Sequence, residues 1–171
     1  MQDADLFMEL AGIAGVFVGF GALIAVRSAG ASGALEVAYT RGVVLMGLLA
    51  VAAALAPVTF GRYDLDEHQV LTLSGVVLMI GIGALFAVMS RTPEWTLADE
   101  ELDWPSWLVL ASTAGFMLWL VATLLIPAVI VLGVAPDLEA ALYFTDVVLI
   151  LSWTAMLLLL LVLRGRRPAT A

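Results

Sequence analysis

A chain of 171 residues that is 63% hydrophobic and 13% charged, with a mean hydropathy of +1.10, is far from a water-soluble domain, in which roughly a quarter of residues are charged. A soluble core of this size has no use for so much apolar surface, so the implied solvent is a bilayer. Cysteine is absent, which removes disulfides, thiolate nucleophiles and Cys-ligated metals together; lysine is absent too, so seven arginines stand against 15 acids for a net charge of −8.

Five apolar runs follow one another, at residues 6–26, 43–60, 70–89, 107–134 and 140–163, and only Glu9 and Asp146 within them are charged. Because a helix rises about 1.5 Å per residue and the hydrocarbon core is roughly 30 Å thick, runs of about 20 residues are the right length to span. The fold class is therefore all-α, a polytopic membrane bundle of five transmembrane helices. The runs consume the apolar residues and leave short connections, so residues 1–171 form a single domain. Ahead of the first run lie Asp3 and Asp5 and no base, the opposite of a secretory signal's positive start, so this run is expected to be retained.

The first run is the most patterned. Ala11, Gly15 and Gly19 form a small-xxx-small series that lets another backbone approach closely, a candidate helix interface. A second stripe holds Glu9, Ile13, Val16, Phe20, Leu23 and Arg27, in the order acid, apolar, base. Repeated around a symmetry axis it would line a pore; alone, it is a lipid-facing stripe whose end charges reach the interfaces.

In the loop after the second run, Asp64, Asp66, Glu67 and His68 lack the spacing of a metal loop and read as a solvated segment. Gly75, Gly81 and Gly83 in the third run read as close-packing points. Between the third and fourth runs, Thr92-Pro93-Glu94 starts a candidate short surface helix, and Trp95, Trp104 and Trp107 fit an interfacial aromatic belt. Pro127, inside the fourth run, removes a backbone bond and marks a candidate hinge by freeing the carbonyl near Thr123. Ala135-Pro136-Asp137 breaks the chain before the last run, with Asp137 a plausible N-cap. Asp146 then lies inside the last run, where a carboxylate is costly enough to suggest function, although Arg62 or outer water could also satisfy it.

Arginine placement predicts the orientation. With five spans, Arg27, Arg41, Arg91, Arg164, Arg166 and Arg167 fall on one side and Arg62 on the other, and the arginine-rich side faces the cytoplasm, giving N-out and C-in. Nine acids and one arginine then lie outside, and six of each inside. An acidic mouth concentrates cations.

A single histidine in a loop supplies no haem ligand pair and no nucleophile–base couple, so no enzyme, cofactor or metal site is expected. Seven scattered arginines make no nucleic-acid surface. The leading expectation is a self-associating, homo-oligomeric cation channel or transport pathway in a plasma or inner membrane, with Glu9, Asp146, Phe20 and Arg27 as candidate pathway residues. The alternatives are a non-conducting accessory subunit packed through its glycine face, and a binder of small lipophilic ligands using Trp119, Trp153 and the Pro127 bend.

Overall fold

Inside a bilayer no water is available to backbone N–H and C=O groups, and helices satisfy them within one segment. The computed structural model describes residues 4–28, 34–91 and 106–164, and every regular element among them is helical. Helices α1 (Ala4–Ser28), α2 (Ala34–Phe60), α3 (Glu67–Ser90), α4 (Ser106–Val131) and α5 (Glu139–Arg164) follow in order, with a single 3-10 turn, Pro136–Leu138, ahead of α5. All five are long and apolar enough to cross a membrane. The protein is thus a multi-pass, all-helical membrane protein. The segment expected to hold a short surface helix, with Trp95 and Trp104, lies outside the described residues.

Helix boundaries depart from the apolar runs for local reasons. Helix α2 begins well before its apolar run, carrying Tyr39, Thr40 and Arg41 within the helix, because helical hydrogen bonding does not stop where apolar composition does. Helix α4 ends earlier than expected, at a Schellman closure: Gly133, at φ +62°, donates to the Ile130 carbonyl at 2.9 Å, and Val134 donates to that of Val129 at 3.2 Å. Asp137 does not cap α5. It sits inside the 3-10 turn, whose carbonyl and amide partners are Ala135 and Leu138 at 3.0 Å, and Glu139 opens the helix. Helix α3, by contrast, begins at a full capping box, in which the Gln69 amide donates to Asp66 Oδ1 at 2.8 Å and the Asp66 amide to Gln69 Oε1 at 3.4 Å.

Helices α2, α3, α4 and α5 form a ring in that order, with α3 also touching α5 across it, and α1 lies in the groove between α2 and α5. The inward side of α1 is a seven-residue repeat, Phe7, Ala14 and Gly21, all buried. Small residues face each other there. A β-carbon on Gly47 of α2 would sit 2.7 Å from Val18 Cγ2 and 3.6 Å from the Ala14 carbonyl oxygen, and one on Gly21 would sit 2.9 Å from Val44 Cγ2. Close backbone approach replaces bulky side chains that lipid could solvate equally well.

Helix α5 supplies the deepest stripe. Glu139, Tyr143, Asp146, Val147, Ile150, Thr154, Leu157 and Leu161 recur at helical spacing and are all buried. At the far side, Trp119 of α4 stacks on Trp153 of α5 with centroids 5.2 Å apart, and its indole Nε1 donates to the Leu149 carbonyl at 3.1 Å. Phe116 packs against both indoles. The two tryptophans considered as ligand platforms thus cover one another's faces and bind α4 to α5.

Candidate functional site

Three helices bring polar groups to one level of the bundle. Ala53 of α2, Ser74 of α3 and Asp146 of α5 each lie seven residues in from the helix ends Phe60, Glu67 and Glu139, about 10 Å deep. Those ends are gathered on one side of the bundle, joined by the α2–α3 loop and the α4–α5 turn.

Pro57 explains the first of these groups. It lies inside α2 and has no N–H, so the Ala53 carbonyl, four residues earlier, has no helical donor. The Tyr143 hydroxyl supplies one, donating to Ala53 O at 2.8 Å from a wholly buried ring. The Ser74 hydroxyl, at the same level, donates to the Val70 carbonyl of its own helix at 2.7 Å. Phe7 of α1 closes the cluster with its ring edge-on to Tyr143 at 5.8 Å. The sequence reading did not single out Pro57, Ala53 or Tyr143. A usable signal existed, a proline in one span that orphans a carbonyl and a tyrosine in another.

One helical turn beyond Tyr143, Asp146 has no exposed surface, and neither carboxylate oxygen has a hydrogen-bond partner. The expected pairing with Arg62 does not occur: that arginine is exposed in the α2–α3 loop, and neither Asp146 oxygen bonds to it. The buried hydroxyls of Thr154 and Thr123 are committed elsewhere, donating to carbonyls of their own helices, Ile150 at 2.8 Å and Trp119 at 3.1 Å. An ionised carboxylate taken from water without a counter-charge costs several kcal/mol, so an unpaired acid at this position is unfavourable unless something supplies the missing charge.

At the helix ends above it, Glu139 is also buried, with 4% of its side chain exposed, and both its oxygens lie 2.9 Å from His68 Nδ1. Opposite a carboxylate, Nδ1 is the donor. His68 is half exposed and its ring lies over Gly133, where a β-carbon would sit 3.5 Å from Cε1. The D-L-D-E-H run is therefore divided between tasks: Asp66 caps α3 and His68 reaches across to α5.

The other residues singled out by sequence lie elsewhere. Glu9 and Phe20 are on the exposed side of α1, so they do not meet Asp146, and the side chain of Arg27 is outside the described set. Ala11 is half-buried, whereas at Gly15 and Gly19, with Gly12, an added β-carbon would meet nothing within 4 Å. Within the chain, the α1 interface is thus the Phe7, Ala14 and Gly21 side rather than the glycine stripe. Pro127 is buried in α4, which continues through it as helix, and its carbonyl would be 3.5 Å from a β-carbon on Gly75.

Comparison with known proteins gives no matching family model, no matching curated protein and no matching solved structure.

Proposed function

We propose that this membrane protein is a non-enzymatic cation transport protein of a plasma or inner membrane, in which Asp146 binds the cation inside the bundle and the acidic end serves as its mouth. The observation that carries the reading is a fully buried carboxylate with no partner for either oxygen. A purely structural acid at this depth acquires an arginine or several donors, because leaving it unpaired is destabilising. A transported cation supplies the missing charge for part of a cycle. The described mouth contains Asp5, Glu9, Asp64, Asp66, Glu67, Asp137 and Glu139 against Arg62, a field that draws cations in. The arginine division supports placing that mouth outside, with the N-terminus out and the C-terminus in. Pro127 is the proposed point of bending.

Reconstitution into vesicles tests this. Wild-type protein should pass small cations under an imposed potential, Asp146→Asn should reduce flux to that of empty vesicles, and Glu9→Gln should leave most of it. A wild type that conducts nothing, or an Asp146→Asn variant that conducts normally, overturns the reading.

A second reading, a self-associating or accessory subunit, is favoured by the bare face of α1 at Gly12, Gly15 and Gly19. Homo-oligomer formation through that face is compatible with the transport reading as well.

A further inference from the structure

We propose that Glu139 is a second cation-binding carboxylate, at the mouth of the Asp146 site, and that His68 is a tethered counter-ion that occupies it until a cation arrives. This rests on the reading of Asp146 given above.

Three features of the geometry support it. Glu139, Tyr143 and Asp146 are spaced four and three residues apart, so they line one face of α5, and all three are buried. A row of carboxylate, phenol and carboxylate thus leads about 10 Å inward from the helix end. Next, the clasp on Glu139 is of a releasable kind. One Nδ1 donor sits equally far, 2.9 Å, from both oxygens, whereas a guanidinium would hold the same carboxylate with two parallel bonds. Finally, the clasp is on a half-exposed ring beside a residue with no side chain, so His68 can turn into water without opening the core.

The charges around the clasp have one sign. Asp66 and Glu67 flank His68 at the start of α3, and Asp137 precedes Glu139 in the 3-10 turn; Arg62 in the loop is the described base nearest in sequence. The Asp66 carboxylate is committed to the capping box, so it contributes field rather than a ligand. The row offers two carboxylates, and no group of three acids, histidines or cysteines able to hold a metal occurs among the described residues. The ligand class that fits is a small monovalent inorganic cation, since a divalent ion takes six or so oxygens including several acids.

The absence of cysteine makes this testable without assaying transport. Asp146→Cys is labelled in detergent with a small cationic thiol reagent and with a neutral one of equal size, alone and combined with His68→Ala or Glu139→Gln. Removing His68 should speed cationic labelling several-fold, and Glu139→Gln should slow it several-fold, with neutral labelling unchanged in both. Equal cationic rates in all three proteins overturn the proposal. So do parallel changes in both reagents, which report loosened packing, and a cysteine unreactive in every background. Flux through wild-type vesicles is independent of these rates, so failure of the transport reading and failure of the mouth are separately visible.

Discussion

Helices α1 and α5 each carry one acid within the apolar run, Glu9 and Asp146, and the two acids end in opposite surroundings. Helix α1 lies in an outer groove and turns Glu9, Ile13, Val16, Phe20 and Leu23 away from the bundle, while α5 touches every other helix and buries Asp146 completely. The difference teaches that an acid in a span acquires meaning from the neighbours of its helix, not from the depth of the residue. On α1 a carboxylate near the helix end reaches outward at little cost. On α5 the same group has no exit.

The comparison breaks first at the α1–α2 seam. Gly47→Leu drives a side chain into Val18 and the Ala14 carbonyl, where only 2.7 Å and 3.6 Å are free at the β-carbon, so it should cost about 3 kcal/mol or expel α1 from its groove. Gly15→Leu and Gly19→Leu meet nothing within the chain and should leave the melting temperature of the monomer unchanged, altering only assembly, if the bare face is used by a second copy. Thermal unfolding in detergent, paired with sizing, measures both halves. Equal destabilisation by Gly47→Leu and Gly15→Leu would mean that α1 is seated on its glycine stripe after all.

Next in size is the tie between α5 and α2. Tyr143→Phe removes the donor to a buried carbonyl that Pro57 has already deprived of its helical partner, with an expected loss of about 1–2 kcal/mol. Pro57→Ala restores the backbone donor, so the double variant should lose less than the sum of the two single changes, and a cycle of the four proteins measures that coupling. Strict additivity would show that Ala53 finds another donor. Smallest of all, Glu9→Gln should shift neither stability nor the packing of α1, because its side chain is in open surroundings; a marked loss on unfolding would place Glu9 in a contact that α1 makes with another molecule.

Number, type and approximate limits of the helices were legible in the sequence, because apolar length is a direct physical demand of the bilayer. Which side of a helix turns inward was not. Ala11, Gly15 and Gly19 announce that a backbone could come close, but the chain's own close contact is built from Ala14 and Gly21 against Gly47, and only the partner helix decides between the two. Asp146 was legible as costly, yet its isolation from Arg62 depends on where α5 faces. The His68–Glu139 pair joins residues 71 apart, which no local spacing encodes. Asp137 as an N-cap failed for a local reason, since Pro136 favours a 3-10 turn that moves the helix start beyond it.

The bond from Tyr143 to Ala53 also bears on the order in which the molecule is made. Ribosomal synthesis delivers α2 long before α5, so an inserted α2 carries an acceptor without a donor throughout the time α3 and α4 are being placed. Each unsatisfied group in hydrocarbon is unfavourable, and this one is relieved when α5 packs against α2. The bond therefore couples the two helices in time as well as in space: until α5 packs against α2, α2 retains a polar defect in the membrane.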